Sequence, residues 1–143
     1  MGSFVTGSRE IGAAPSAVWA ILADVECWPN RFTPHLESAA LHGPLEAGTR
    51  GSVRMRRLPI ETEFEVTSVD EPKNWSWRGR LVWLTMDFDH RIEDTANGCR
   101  VTFDVDLEGP LAALIRPLAR LVYRPQMERA LDLLVACAED TRA

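Results

Sequence analysis

The sequence predicts an α+β fold in which an antiparallel sheet packs against one long C-terminal helix. Apolar and polar residues alternate with period two along most of the central chain, which is typical of half-buried strands. Turn residues separate these runs, and helical spacing takes over from Pro110 onward. Because only one face of each predicted strand is apolar, the sheet has one buried side. A sheet curled around a helix easily leaves a cavity between them, and we expect the function to lie there.

The chain begins with a predicted strand at Val5 to Ile11 and two short helices. Pro15 suits the first helical position and Ser16 can act as a cap, so a helix is expected to begin here. A second short helix or turn is predicted around Trp28, and Pro34 is expected to end it.

Six further strands follow, and the short turns between them make neighbouring strands antiparallel. The Asn97-Gly98 pair is a strong hairpin signal. The predicted strands are His35–His42, Gly51–Leu58, Ile60–Val69, a segment around Trp75 and Trp77 that ends or kinks at Gly79, Leu84–Ile92, and Val101–Leu107.

The C-terminal segment, Pro110 to Ala143, carries two apolar stripes at helical spacing. The first stripe consists of Leu111, Leu114, Ile115, Leu118, Leu121 and Val122. The second consists of Met127, Ala130, Leu131, Leu134, Val135 and Ala138. The register slips between them, so a helix break is expected near Pro117 or Pro125. Stripes this wide need an apolar cover, and we expect the sheet to provide it.

Composition narrows the function classes. The 143 residues fit a single domain, 1–143, and the net charge of −5 argues against nucleic acid as a main partner. No apolar run is long enough to span a bilayer, so we expect a cytoplasmic protein without stable membrane insertion. Cys27, Cys99 and Cys137 are predicted to be free thiols. Without metal-ligand spacing or a phosphate loop, no metal or cofactor is expected. Both a monomer and a homodimer remain open.

Charged residues are expected mainly on outer faces. Arg116, Arg120 and Arg124 recur every four residues on the helix side that faces away from the first stripe. They form either a solvated face or a contact for an anionic surface or partner. The outward strand positions are expected to pair carboxylates with arginines across strands. These residues are Asp87, Asp89, Asp104 and Asp106, with Arg54, Arg56, Arg78 and Arg80.

The inward strand positions and the helix define a candidate ligand pocket. His90 is its most informative residue, because it alternates with apolar neighbours and histidine titrates near neutral pH. It is either a core histidine or a polar group that holds a ligand oxygen or transfers a proton. No catalytic residue is identified, because no nucleophile motif occurs. The predicted ligand-binding residues are Thr62, Phe64, Trp77, Met86, Phe88, His90, Phe103, Leu118, Met127 and Leu131.

Several short motifs occur in an order that resembles a known superfamily. They are Ala14-Pro15-Ser16-Ala17-Val18-Trp19, Trp28-Pro29, Gly48-Thr49-Arg50-Gly51, Glu71-Pro72 with Trp75-Ser76-Trp77, and Asn97-Gly98-Cys99-Arg100-Val101-Thr102. With the terminal helix, they resemble the START-like or Bet v 1-like (SRPBCC) superfamily, and within it the bacterial polyketide cyclase/dehydrase and lipid-transport proteins.

The resemblance implies a helix-grip fold, in which a seven-stranded antiparallel sheet wraps around the C-terminal helix and a deep hydrophobic pocket. Members bind lipids, sterols, polyketides or plant hormones, and some cyclise polyketides. The main prediction is therefore binding of a small hydrophobic ligand, lipid or polyketide-like. A polyketide aromatase/cyclase is one alternative, and a protein-interaction or stress/toxin-type module without turnover is another. Fold alone does not choose among them.

Overall fold

The computed structural model describes residues 5–56, 61–81 and 83–140. Three sequence predictions fall partly outside these ranges: the strand end at Leu58, the strand start at Ile60 and the helical residues after Asp140. The elements in chain order are β1 (Val5–Ile11), α1 (Pro15–Ala23), a 3-10 turn (Val25–Cys27), α2 (Trp28–Arg31), β2 (Leu36–Leu41), β3 (Arg50–Met55), β4 (Glu61–Asp70), β5 (Asn74–Leu81), β6 (Leu84–Thr95), β7 (Gly98–Glu108) and α3 (Ala112–Asp140).

The seven strands form one antiparallel sheet in the order β1-β7-β6-β5-β4-β3-β2. Strands β2 to β6 each pair with the next strand along the chain, as their short connections require. Strand β1 returns to the far edge and pairs with β7, with Val5 opposite Val105. The Asn97-Gly98 turn closes the β6–β7 hairpin, and Gly98 adopts a φ of +153° there. The predicted α+β helix-grip fold is confirmed.

The C-terminal half of α3 packs on the sheet through the second predicted stripe. Leu131, Leu134 and Ala138 are completely buried. The helix approaches β1 most closely at Gly7, where an added Cβ would lie only 2.8 Å from Cδ1 of Leu131. Beside this contact, Arg9 of β1 forms ion pairs with two carboxylates of α3. The glycine therefore allows the helix to lie directly against the edge strand.

The expected break in the C-terminal helix is wrong, because α3 is continuous through Pro117 and Pro125. A proline removes one backbone N–H donor and disfavours the preceding turn, but the rest of the hydrogen-bond ladder remains. The two prolines are eight residues apart, which leaves about two full turns between them. The helix therefore keeps one rotational phase from end to end.

The first predicted stripe is also on the wrong side of the helix. Its residues Leu114, Leu118 and Leu121 are exposed by 76%, 67% and 74%. Because α3 does not break, the buried Met127 sets the inward face of the preceding turns, which places Tyr123 and then Ala119 and Arg116 toward the sheet.

Arg116 accordingly does not lie on an outward face, contrary to the sequence prediction. Its guanidinium donates to Asp106 at 3.2 Å and to the carbonyl of Leu107 at 2.7 Å. The arginine thus holds the beginning of α3 against the end of β7.

Candidate functional site

A cavity of about 210 Å³ lies between the sheet, α2 and the middle of α3. Neighbouring strands place their inward residues side by side, because Trp77 pairs with Phe88 and Phe88 pairs with Val105. The main lining residues are Trp28, Phe32, Thr33, His35, Leu36, Val53, Met55, Thr62, Trp77, Gly79, Met86, Phe88, His90, Phe103, Val105, Tyr123, Met127 and Ala130.

Aromatic rings form much of the cavity wall. Trp77 and Phe88 stack with their ring centroids 4.1 Å apart and their planes 9° apart. The edge of Tyr123 meets Phe88 at 6.1 Å. A Cβ at Gly79 would lie 2.8 Å from the ring of Trp77, so the missing side chain gives that ring its space. The cavity wall is therefore apolar and largely aromatic, which suits an apolar ligand.

His90 is the buried polar group at the centre of this wall. Its ring stacks on Trp75 at 4.7 Å and meets the edge of Phe103 at 5.2 Å. Its Nδ1 lies 3.2 Å from the carbonyl oxygen of Trp75. A carbonyl only accepts hydrogen bonds, so Nδ1 carries the proton and Nε2 is an acceptor in the neutral ring. The described residues provide Nε2 with no partner.

Burial fixes the charge state of His90. The apolar surroundings lower its pKa to about 4, and the bond to Trp75 and the charge of Asp89 oppose this shift only in part. The ring is therefore neutral at pH 7. Burial also lowers the pKa of His35, which lies at the cavity edge.

Two further buried polar atoms belong to the cavity wall. The hydroxyl of Thr33 and the indole Nε1 of Trp77 are inaccessible to solvent and have no hydrogen-bond partner among the described residues. Both side chains belong to residues that are only 6% exposed. An unpaired buried polar atom is destabilising by about 1–3 kcal/mol, so each is a local defect in the packing behind the cavity wall.

A wider cleft of about 900 Å³ adjoins the cavity at the N-terminal half of α3. Four residues, His35, Met55, Met86 and Tyr123, line both spaces, so Tyr123 stands at the boundary between them. Burial raises the pKa of the Tyr123 phenol, which stays protonated at neutral pH. The remaining lining residues are Pro34, Arg56, Leu84, Leu107, Ile115, Leu118, Ala119, Val122, Gln126 and Arg129.

The structure brings most of the sequence-predicted pocket residues together. Those that line the cavity are Thr62, Trp77, Met86, Phe88, His90, Phe103 and Met127. Leu118 borders the outer cleft instead. Phe64 packs against Trp77 at 4.6 Å, and Leu131 packs against Gly7, so both lie behind the wall in the core.

Sequence reasoning missed the wall that comes from α2 and from the middle of α3. Trp28, Phe32 and Thr33 lie in or just after a four-residue helix, which is too short to show a period. Tyr123 was missed because the first stripe was assigned to the inward face. Its position four residues before Met127 was the available signal.

The outward carboxylates form ion pairs and hydrogen bonds. Arg78 lies 2.8 Å from Asp87, as expected from the strand alternation. Asp89 accepts hydrogen bonds from Ser76 and Asn74, both at 2.5 Å. Among the residues that the structure describes, no group of acidic, histidine or cysteine side chains has the geometry of a metal site. The three cysteines are free thiols.

Known proteins with this architecture include the ARO/CYC proteins of two biosynthetic pathways. The chain matches the family model for polyketide cyclase/dehydrase and lipid transport over residues 4–139. The di-domain ARO/CYC protein StfQ of the steffimycin biosynthetic pathway superposes with a TM-score of 0.81 at 14% identity, over 96% of this chain and 51% of StfQ. BexL, the di-domain ARO/CYC of the BE-7585A pathway, gives 0.75 at 15% identity, over 94% and 49%.

The chain thus spans about half the length of these two di-domain proteins. A protein from Thermus thermophilus is similar over nearly its full length, with a TM-score of 0.77, 17% identity and coverage of 97% and 99%. No curated protein is similar enough in sequence to count as a match. No described helix is both long and apolar enough to cross a membrane. With a family model covering almost the entire chain, the protein belongs to the polyketide cyclase/dehydrase and lipid-transport family.

Proposed function

We propose that the protein binds a small, largely apolar ligand of the lipid or polyketide-like class in the cavity, with the polar end of the ligand at His90. The observation that carries this proposal is an aromatic-walled cavity of about 210 Å³ whose lining includes the neutral ring of His90. Apolar contact provides the affinity, at about 2.5 kcal/mol for each 100 Å² of ligand surface removed from water. The polar atoms then select the orientation.

The cavity volume limits the buried part of the ligand. A cavity of about 150 Å³ holds one benzene molecule. The 210 Å³ measured here therefore suits one ring or two fused rings. A longer ligand would continue past Tyr123 into the outer cleft.

The polar groups define the chemistry of the buried end. Nε2 of neutral His90 accepts a hydrogen bond, so it favours a ligand hydroxyl. A ring that carries a hydroxyl provides this donor.

The test uses 2-naphthol, 2-methoxynaphthalene and naphthalene as probes in titration calorimetry. 2-Naphthol should bind at least about tenfold more tightly than 2-methoxynaphthalene, because only the hydroxyl can donate to Nε2. His90→Asn should abolish this preference, since the amide can still donate to Trp75 but lacks the second ring nitrogen. His42→Asn is the matched control, because His42 does not line the cavity.

Three outcomes would contradict the proposal. The first is the absence of measurable binding by all three probes. The second is a preference for 2-naphthol that persists in His90→Asn. The third is an equal loss of binding in His42→Asn, which would place the site elsewhere.

The aromatase/cyclase alternative needs a group that exchanges protons near neutral pH. A histidine with a pKa of about 4 is a weak base at pH 7, so His90 suits hydrogen bonding better than proton abstraction. This argument favours binding over turnover for the cavity as it stands.

A further inference from the structure

The N-terminal half of α3 exposes a continuous apolar surface, which we call the leucine face. It consists of Leu111, Leu114, Leu118, Leu121 and Val122, whose exposed fractions range from 62% to 76%. Trp83 is 51% exposed and stands beside the start of the helix, where its indole donates to the carbonyl of Pro110 at 2.8 Å. Contiguous apolar surface of this kind marks an interaction site in a soluble domain.

The charged residues within the helix segment that carries the leucine face are all arginines. Residues 109–127 contain three arginines and no acidic residue, although the whole chain has a net charge of −5. Arg116 is paired with Asp106 and half-buried, and the side chains of Arg120 and Arg124 are exposed. Arg124 lies 4.0 Å from Glu128, an exposed ion pair that holds it only weakly. The surface therefore complements an anionic partner.

The helical rotation places these groups on either side of the leucine face. At about 100° per residue, Arg124 lies about 60° beyond Leu121, and Arg120 lies about 100° beyond it, toward the side of the helix that packs on the sheet. On the other flank, Leu118 and Val122 belong to both the leucine face and the lining of the outer cleft. The opening toward the ligand cavity is thus continuous with the exposed apolar surface.

We propose that the leucine face docks on the surface of an anionic lipid bilayer, where the outer cleft exchanges an apolar ligand with the membrane. The exchange step depends on the function proposed above, whereas the docking step does not. Helices that lie in a membrane interface have this composition, with leucine and tryptophan on one side and arginine beside them. Anionic headgroups attract the arginines, and the apolar side chains enter the acyl boundary.

A second copy of the chain fits this surface less well. Two leucine faces packed against each other would bring the exposed Arg120 and Arg124 of both copies to the same interface. Like charges at an interface oppose association. An anionic bilayer covers the same apolar surface and also compensates the arginines.

The experiment is co-sedimentation with vesicles of pure phosphatidylcholine and with vesicles containing roughly 30% phosphatidylserine. The wild-type protein should sediment with the anionic vesicles only, and added salt should release it. Leu114→Glu should lower the partition coefficient at least about tenfold. Thr67→Glu is the matched control, because it adds the same charge at an exposed position of β4, a strand that α3 does not pack against, and it should retain the binding.

Arg120→Gln with Arg124→Gln should lower the partition coefficient by about 25-fold, at about fivefold per arginine. Equal sedimentation of the wild type and Leu114→Glu would overturn the proposal. The proposal would also be overturned if light scattering detects a wild-type dimer that does not bind vesicles and that Leu114→Glu dissociates. Binding of 2-naphthol is measured separately in solution. If that binding fails while vesicle binding persists, docking stands and ligand exchange is refuted.

Discussion

Acid should destabilise the protein through His90 in a defined pH range. The folded-state pKa of this residue is about 4, because burial disfavours the charged ring, and the ordinary value is 6.5. Between these values the unfolded chain binds a proton that the folded chain does not bind. The free energy of unfolding therefore falls as the pH decreases from about 6.5 to about 4.

The size of the effect follows from the two pKa values. Each unit of difference corresponds to about 1.4 kcal/mol, so His90 accounts for about 3 kcal/mol of stability that is complete above the unfolded pKa. That is a large share of the roughly 5–15 kcal/mol that holds a domain folded. His35 has a pKa shifted in the same direction, so it adds to the total acid sensitivity.

Urea denaturation between about pH 7 and about pH 4.5 isolates the contribution of His90 to the free energy of unfolding. The proteins compared are the wild type, His90→Asn and His42→Asn. His90→Asn should be less stable at neutral pH, because it loses ring contacts with Trp75 and Phe103, but its stability should fall less steeply with acid. The His42→Asn variant should follow the wild type. His35 and all carboxylates are unchanged and cancel in the comparison. If the pH dependence of His90→Asn is parallel to that of the wild type, the assignment of a buried neutral histidine is refuted.

Two further substitutions test the packing and the cavity wall. Gly7→Ala should lower the free energy of unfolding by about 1–3 kcal/mol in urea denaturation, because its Cβ would lie 2.8 Å from Leu131. An unchanged midpoint would mean that α3 does not pack against β1 this closely. Thr33→Val should raise the free energy of unfolding of the ligand-free protein by about 1 kcal/mol, because it removes an unpaired buried hydroxyl. A loss of stability would show that the hydroxyl has a partner.

The sheet was predictable because its signals are local. Period-two alternation gives strand positions and faces, and the Asn97-Gly98 turn fixes the β6–β7 register at Thr95 opposite Gly98. Short connections then order six of the seven strands. The placement of β1 beside β7 joins residues about 90 positions apart, such as Ile11 and Cys99. No local pattern encodes that pairing, and the family resemblance implied only that the sheet has seven antiparallel strands.

The side of α3 that faces the sheet was not predictable from the apolar pattern of the helix itself. The stripe with the most leucines was expected to be buried, yet the inward positions of the same turns carry Ala119, Tyr123 and Arg116. Continuity with the buried C-terminal half of α3 sets this phase, which brings Arg116 to Asp106 on the preceding strand. An arginine spaced regularly with two others suggested a solvated row, and its partner became evident only in three dimensions.

One rotational phase of α3 produces both the cavity and the leucine face. Turning the helix to bury Leu114 and Leu118 would gain about 1.5–3 kcal/mol for each side chain. It would also point leucines into the space that the outer cleft occupies, where Ala119 and Tyr123 now form the helix side. In its present orientation the helix leaves its leucine face exposed and the outer cleft unfilled. In the turned orientation its leucines would fill the cleft. The proposed membrane contact would cover the leucine face without closing the inner cavity.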